Sequence, residues 1–218
     1  MDDSQLAWVR PGGLTSGQRT GLADLFAGVA GDFVPPLTTR SGTVQTDLRE
    51  RGQAAADNDD YFEQMLDQDT ILAGQPGHLT GFLSFRAFHE DARYPDHSPC
   101  LYVSTIAVRP DQRRSGVARR LYAGLFGLPA TLPSWVVLRT WSTNSGHLKL
   151  LAELGFITIL TIQDDRAEGI DTLYLAADRH LAIGAPGADP HRSTRQSPEP
   201  QWHTVPGSQT SGQTSGIS

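Results

Sequence analysis

The sequence contains few sulfur-bearing residues, with one cysteine and two methionines among its 218 residues. A single cysteine, Cys100, excludes an internal disulfide framework and suits a reducing compartment. Cys100 lies between a proline and an apolar stretch, which favours a small core residue over a catalytic thiol. Histidines and cysteines do not cluster at the spacing of metal ligands, so we expect no metal.

Long apolar runs and an excess of basic residues are also absent. No apolar stretch approaches the length of a membrane span, and the first five residues lack the basic and apolar parts of a secretory signal. We therefore expect a cytoplasmic protein with no membrane partner. The formal net charge is −6, whereas proteins that bind nucleic acids usually present a basic surface. The charge disfavours a nucleic-acid partner and mildly favours a cationic substrate, such as a protonated amine.

The length of the chain suits one ordinary domain with its own hydrophobic core. The last part of the sequence is rich in Pro, Gly, Ser, Thr and Gln and has too few apolar residues to fold. We expect a folded domain over residues 1–182 and a disordered tail over residues 183–218. The composition leaves the oligomeric state open, a homodimer included.

Residues 101–126 carry the strongest local pattern. Residues 102–108 are rich in β-branched and aromatic types and predict a buried strand, which Pro110 ends. From Val117 onward, apolar residues recur every four positions and predict an amphipathic helix. The glycine-bearing turn between them makes a candidate anion site, because the first N–H groups of a helix lack partners and its dipole is positive there.

The sequence of this turn resembles the cofactor motif of the GNAT superfamily of acyl-CoA-dependent N-acetyltransferases. The motif is Arg/Gln-x-x-Gly-x-Gly/Ala, and here it follows Ile-Ala-Val-x-Pro. It is neither the dinucleotide fingerprint nor a P-loop. The resemblance implies that acetyl-CoA is the co-substrate, with its pyrophosphate on the loop and its pantetheine arm along the strand. The cofactor residues so implied are Ile106, Val108, Arg113, Arg114, Ser115, Gly116, Val117, Ala118 and Arg119.

A second stretch supports the first. Residues 135–141 predict another strand, and residues 147–154 predict a helix that Gly155 ends. Asn144, followed by Leu-Gly-Phe at residues 154–156, resembles the second cofactor segment of the family. The resemblance implies that Asn144 lies beside the coenzyme arm; a helix N-cap is an alternative role, and the two are compatible.

The acid and base of many relatives have no counterpart here. Leu151 stands where many members carry a tyrosine that protonates the departing thiolate. The place of a glutamate base on the cofactor strand holds Tyr102, and the place of an acid on the next strand holds Arg139. Because Tyr102 and Ser104 share a face of an ideal strand, we expect Tyr102 to be the catalytic-site residue that positions an amine or a water. A tyrosine packed in the core is the alternative.

The resemblance implies an α/β domain of the α+β type, with a central mixed, mostly antiparallel sheet flanked by helices. His89 and His97 lie in a polar loop over residues 89–99 and are candidate proton acceptors. The other predicted elements are a strand at residues 6–10, helices at 16–30 and 61–66, a hairpin of 70–73 with 79–88, and two last strands at 156–162 and 170–176 joined by a turn at 163–169.

The resemblance implies an enzyme that transfers acetyl from acetyl-CoA to a primary amine, and we expect the amine to belong to a small molecule. Two alternatives stay open. One is an acetyltransferase that modifies a protein N-terminus or lysine. The other is a binding module that holds an acyl-CoA without catalysis, which the leucine at position 151 and the missing carboxylate would suit.

Overall fold

The computed structural model describes residues 5–37 and 58–181. The strands are Leu6–Val9 (β1), Asp69–Gln75 (β2), His78–His89 (β3), Cys100–Val108 (β4), Trp135–Trp141 (β5), Ile157–Ala167 (β6) and Ile170–Asp178 (β7). The helices are Ser16–Val29 (α1), Asn58–Leu66 (α2), Val117–Phe126 (α3) and Ser145–Glu153 (α4). The predicted tail lies outside the described residues, so the boundary at residue 182 stays a prediction.

The strands form a sheet in the order β1-β2-β3-β4-β5-β7-β6. Only β4 and β5 run parallel among the paired strands of the described residues. One face packs against α3 and α4 through a core that includes Leu121, Leu125 and Leu151. The other face packs against α1 and α2 through Leu22 and Met65. The predicted mixed, mostly antiparallel sheet with flanking helices is confirmed.

The helix predicted from residue 16 is present, and its cap is Thr15. The Thr15 hydroxyl accepts from the Gln18 N–H, while the Gln18 side chain accepts from the Thr15 N–H at 2.9 Å. This reciprocal capping satisfies two N–H groups that would otherwise lack partners. It fixes the start of α1, whose other end reaches the cavity described below.

The turn predicted at residues 163–169 is wrong, because β6 continues to Ala167 and the chain turns at residues 168–169. Polar side chains pair across the hairpin and hold it as strand. Thr172 donates to Asp165, and Arg166 Nε donates to the Thr172 hydroxyl at 3.0 Å. Cross-strand polar pairs of this kind stabilise a strand whose composition suggests a loop.

Strand β4 contains a bulge at Ser104. Ser84 of β3 lies opposite Thr105, whereas the next residue of β3, Phe85, lies opposite Val103. Ser104 is therefore the extra residue, and a bulge reverses the alternation of side chains beyond it. Val103 faces the core under α3 and α4, while Thr105 faces α2, where its hydroxyl bonds to the Tyr61 hydroxyl at 2.9 Å.

Strands β4 and β5 separate at the same point. Their parallel pairing covers only residues 101–103 of β4 and 136–138 of β5, although both strands continue beyond. Residues 104–108 consequently have β3 on one side and a gap on the other. The backbone groups that would complete a ladder with β5 face this gap.

A glycine in β3 lets α3 approach the sheet closely. A Cβ atom at Gly81 would lie 2.8 Å from Val117 Cγ1 and 2.9 Å from the Ala107 carbonyl oxygen. Any larger residue would therefore push the first turn of α3 away from β4. Gly81 thus sets the distance between the start of α3 and the gap beside β4.

Candidate active site

A cavity of about 530 Å³ occupies the gap between β4 and β5. Residues 103–108 of β4 and 138–141 of β5 form its two sides. The first turns of α3 and α4 line it from one face of the sheet. The end of α1, the 3-10 turn Ala30–Asp32 and Arg166 line it from the other. The cavity therefore runs through the sheet, where two ligands could meet from opposite faces.

The N-terminus of α3 opens into this cavity without a side-chain cap. Gly116 occupies the N-cap position with φ of 85°, in the left-handed region that favours glycine. The neighbouring Ser115 hydroxyl donates instead to the Gln112 carbonyl oxygen at 2.6 Å. The N–H groups of the first turn are thus available to an anion, and the helix dipole favours one.

Six of the seven loop and helix residues predicted for the cofactor line the cavity, and Ser115 does not. Two of the basic ones are held in ion pairs: Arg113 with Asp32, and Arg119 with Glu153. Both pairs are largely exposed, so water and salt weaken them and each arginine can turn to a bound anion at small cost. The loop therefore combines backbone donors with mobile positive charge.

The predicted strand residues Ile106 and Val108 also line the cavity. Arg109 N–H donates to the Thr80 carbonyl oxygen of β3 at 3.0 Å. Because alternate residues of a strand direct their backbone groups to the same side, the N–H groups of Ile106 and Val108 face the gap. The edge of β4 thus offers backbone partners to an extended ligand.

Asn144 lines the cavity at the start of α4. It occupies the N-cap position, but its side chain makes no capping hydrogen bond. Its Nδ2 donates instead to the Thr140 hydroxyl at 3.2 Å. The side chain is therefore not used as a cap, and the residue lies in the cavity wall.

Tyr102 and Ser104 both lie on the α2 side of the sheet: Tyr102 is opposite in face to Val103, and the Ser104 hydroxyl bonds to Ser84 and Gln68. Ser104 lines the cavity, where its hydroxyl donates to Gln68, but Tyr102 does not line it. Tyr102 is buried with its ring 4.7 Å from that of His89. Burial raises the pKa of Tyr102 to about 12, so its phenol cannot accept a proton at neutral pH.

The histidines of the loop over residues 89–99 do not line the cavity either. His89 lies 4.0 Å from Asp91, and burial lowers its pKa. The ring of His97 packs edge-on against Trp135 at 4.5 Å. Both rings therefore have packing roles in this structure.

Two residues that the sequence did not single out form a bonded pair in the cavity wall. The Tyr122 hydroxyl of α3 lies 2.9 Å from Nε2 of His147 in α4, and both residues line the cavity. Burial lowers the pKa of His147 to about 4, so its imidazole is neutral at pH 7. His147 precedes Leu151 by one helical turn, and that spacing is the sequence signal that could have revealed it.

The opposite face of the cavity is aromatic and positively charged. Arg139 and Trp141 of β5 and Phe33 line it, together with Arg166 of β6. The rings of Phe33 and Trp141 lie 6.1 Å apart, and the Arg166 guanidinium lies 5.5 Å from the centre of the Trp141 ring. Arg166 also donates to the Val34 carbonyl oxygen and so fixes the segment after α1 across the gap.

A sequence model of the acetyltransferase (GNAT) family matches residues 43–156, more than half of the chain. The protein belongs to the GNAT acetyltransferase family. The match includes β4, the loop, α3, β5 and the start of α4, which are among the elements that line the cavity. No curated protein sequence matches the chain.

Solved structures share the fold at low sequence identity. A GNAT-family protein from Desulfovibrio desulfuricans is 13% identical with a TM-score of 0.56. Smu.2055 from Streptococcus mutans UA159 is 14% identical with a TM-score of 0.56, and an N-acetyltransferase from Staphylococcus aureus Mu50 is 17% identical with a TM-score of 0.52. Each match covers 80% of this chain and 99% of the other. At such identities the likeness extends to the fold alone.

In the described ranges, residues 5–37 and 58–181, no helix is both long and apolar enough to cross a membrane. The same residues contain no group of three or more His, Cys, Asp or Glu side chains that could hold a metal ion.

Proposed function

We propose that this GNAT protein transfers the acetyl group of acetyl-CoA to a primary amine of a small molecule. One observation carries the proposal: the cavity between the parted strands β4 and β5 has the uncapped N-terminus of α3 in its wall. Members of the family use acetyl-CoA. The anion site and the open strand edge match the two parts of that molecule, a pyrophosphate and an amide-bearing arm.

In this proposal the N–H groups of residues 116–119 and the side chains of Arg113 and Arg114 bind the pyrophosphate. The backbone groups of Ile106 and Val108 pair with the arm, and the Asn144 amide adds a further contact. The amine attacks the thioester carbonyl of acetyl-CoA and forms the amide bond; the carbon–sulfur bond breaks, and coenzyme A leaves as a thiolate that takes up a proton from water. Backbone N–H groups near the bulge would stabilise the negative charge that develops on the carbonyl oxygen.

The amine must lose a proton before it attacks, since an ammonium ion with a pKa of ~10 has no lone pair. The phenol of Tyr102 stays protonated at neutral pH and lies outside the lining, while the imidazole of His147, with a pKa of about 4, is too weak a base. We therefore assign deprotonation to a chain of waters in the cavity, ordered by the hydroxyl groups of Ser104 and Thr105 in its lining, which passes the proton to solvent.

The segment after α1 partly covers the cavity, and this favours a small molecule as the acceptor. The segment is held across the gap by the hydrogen bond from Arg166 to the Val34 carbonyl oxygen and by the packing of Phe33 against Trp141. This segment narrows the access that a folded protein would need. A protein acetyltransferase remains the second candidate, and the burial of Leu151 keeps a non-catalytic acyl-CoA-binding module as the third.

The test combines calorimetry with acetyl-CoA and a thiol-release assay on small amines and peptides. We expect binding of acetyl-CoA and turnover on small amines. Turnover on peptides alone would favour the protein acetyltransferase. Binding without turnover on any amine would favour the module, and absence of binding would reject the cofactor site.

A further inference from the structure

The hydrogen bond between Tyr122 and His147 could run in either direction, and the burial of Tyr122 decides between them. Tyr122 has no solvent-exposed surface, and its ring packs among those of Phe126 and Phe156. Its hydroxyl lies 2.9 Å from Nε2 of His147. If Nε2 carried a proton, the O–H group of Tyr122 would point into apolar surroundings without an acceptor, and buried donors are rarely left in this way. The Tyr122 hydroxyl therefore donates to Nε2.

This direction determines which nitrogen of His147 holds the proton of the ring. The pKa of about 4 leaves the imidazole neutral at pH 7, and a neutral imidazole has one N–H group. Since Nε2 accepts from Tyr122, that N–H group is at Nδ1. The cavity wall thus contains a hydrogen-bond donor that is set by a tyrosine of the neighbouring helix.

Nδ1 of His147 has no hydrogen-bond partner among residues 5–37 and 58–181. The ring makes its hydrogen bond through Nε2, and Nδ1 is not one of the buried polar atoms that lack a partner. His147 is only partly buried, and it borders the cavity. The Nδ1–H group is therefore open, and the cavity offers the space in which an acceptor for it can lie.

The pair lies between the two ends of the proposed cofactor site. A Cβ atom at Gly81 would touch Val117 at the start of α3, and Gly81 pairs with Val108 at the end of β4. Tyr122 lies about 7–8 Å further along α3. Because α3 lies over the sheet, this distance leads from the loop back toward the point at which β4 and β5 part. A ligand with its pyrophosphate on the loop and its acyl group at that point must pass His147.

We propose that Tyr122 holds His147 in the tautomer that is protonated at Nδ1, and that Nδ1–H donates to an amide carbonyl oxygen of the pantetheine arm. Resting on the proposed function, this adds a side-chain contact from α4 to the backbone contacts from the edge of β4. Amide carbonyl oxygens accept hydrogen bonds from such donors. His147 is then a cofactor-binding residue, and Tyr122 is a positioning residue that acts through it.

The first measurement determines the tautomer without any ligand or turnover. Nitrogen NMR of the full chain with isotope-labelled histidine distinguishes a protonated from an unprotonated ring nitrogen at pH 7. His147→Gln identifies the signals of His147 by removing them. We expect the proton on Nδ1 in the parent and a mixture of tautomers in Tyr122→Phe, which deletes the hydroxyl alone. A proton on Nε2 in the parent, or an unchanged tautomer in Tyr122→Phe, would overturn the proposal.

The second measurement tests the contact with the pantetheine arm by calorimetry. Acetyl-CoA is compared with the nucleotide part of coenzyme A alone, an adenosine diphosphate that carries a further phosphate on its ribose and has no arm. His147→Phe should weaken acetyl-CoA binding by about fivefold to tenfold, the scale of one hydrogen bond, and leave binding of the nucleotide unchanged.

Two further variants separate the roles of the two residues. His147→Gln should bind acetyl-CoA nearly as the parent does, because its amide can accept from Tyr122 and donate to the arm. Tyr122→Phe should lose about twofold or more, since only the fraction of the protein in the correct tautomer binds. His180→Phe is the matched control, because His180 is exposed and does not line the cavity. It should bind both ligands as the parent does.

The outcomes distinguish failure of this inference from failure of the proposed function. If the parent does not bind acetyl-CoA, the proposed function fails and the contact fails with it. If His147→Phe binds acetyl-CoA as tightly as the parent, or weakens binding of the nucleotide equally, the contact is overturned and the cofactor site stands. Should this variant fail to fold, as judged by its melting temperature, the parent decides by NMR. Acetyl-CoA should then shift the Nδ1 signal and the nucleotide should not; a shift with both or with neither would overturn the contact.

Discussion

The Tyr122 hydroxyl and Nε2 of His147 are hydrogen-bonded at 2.9 Å, which joins α3 to α4 across the cavity wall. The two helices carry the two halves of the proposed cofactor site, the uncapped N-terminus of α3 and Asn144 at the start of α4. The bond therefore fixes the separation of these halves. It also satisfies a buried imidazole that would otherwise lack a partner on that nitrogen.

The neutral state of His147 predicts a pH dependence of stability. Burial lowers its pKa to about 4, whereas the ordinary value is 6.5. Between these values the unfolded chain binds a proton that the folded chain does not, so the free energy of unfolding falls as the pH drops from 6.5 to 4. We expect a loss of about 2–3 kcal/mol over this window, measured by urea unfolding. Above pH 6.5 the imidazole is mostly neutral in the folded and the unfolded chain, so His147 makes little further change to the free energy of unfolding.

The control for this prediction is His147→Gln, whose amide can still bond to Tyr122 but does not titrate. The variant should lose most of the slope between pH 6.5 and pH 4. His89 also has a pKa lowered by burial, so a small slope should remain. An unchanged slope in His147→Gln would assign the pH dependence to other groups.

Gly116→Asp should prevent acetyl-CoA binding. A carboxylate at the N-terminus of α3 repels the pyrophosphate and fills the space that backbone donors need. We expect affinity to fall by about 100-fold or more, equal to roughly 3 kcal/mol, by calorimetry. Gly12→Asp is the matched control, because Gly12 also has a positive φ, of 73°, but lies in the turn after β1. Equal affinity in the two variants would refute the assignment of the cofactor loop.

Gly81→Ala should displace α3. The added methyl group would lie 2.8 Å from Val117 Cγ1, closer than atoms in a packed core approach. We expect a loss of about 1–3 kcal/mol of stability, typical of overpacking, together with weaker acetyl-CoA binding. Gly28→Ala is the opposite control, since Gly28 is exposed in α1 with open space around it. That change should stabilise the protein by about 0.5–1 kcal/mol. Unchanged stability and binding in Gly81→Ala would show that α3 can move without consequence.

Tyr102→Phe tests the remaining role of Tyr102. The residue lies outside the lining but neighbours Arg139, so we expect it to act by positioning that guanidinium. Loss of the hydroxyl should lower kcat/KM by about fivefold, or roughly 1 kcal/mol, with acetyl-CoA affinity and melting temperature nearly unchanged. Turnover and acceptor KM equal to those of the parent would leave Tyr102 as a packing residue.

The sequence alone predicts the proposed cofactor side of the site because its signals are local. A strand, a glycine with positive φ and an amphipathic helix follow each other within residues 101–126, and each has a short-range cause. Asn144 is predicted from the resemblance of residues 144–156 to the second cofactor segment of the family, at the junction of a strand and a helix. For these residues, the main feature that the structure shows and the sequence does not predict is the gap that separates β4 from β5.

The acceptor side depends on contacts between distant segments and could not be predicted in this way. The bulge at Ser104 arises from the pairing of β4 with β3, and the side chains of β4 give no sign of it. The neighbours of Arg139 include Tyr174 of β7 and Tyr102 of β4, which come from different parts of the chain. Arg179, which does not line the cavity, also makes contacts between distant segments that the sequence does not predict. Its buried guanidinium donates to five carbonyl groups of residues 126–133.

The single extra residue in β4 also bears on how relatives of this protein should be aligned and engineered. Deleting Ser104 would restore strict alternation, because Val103 and Thr105 already face opposite sides of the sheet and pair with consecutive residues of β3. Residues 105–108 would keep their present faces, and the change would be confined to the backbone at the bulge. A gap-free alignment to a chain without this bulge would match every residue on one side of it to a position on the wrong face.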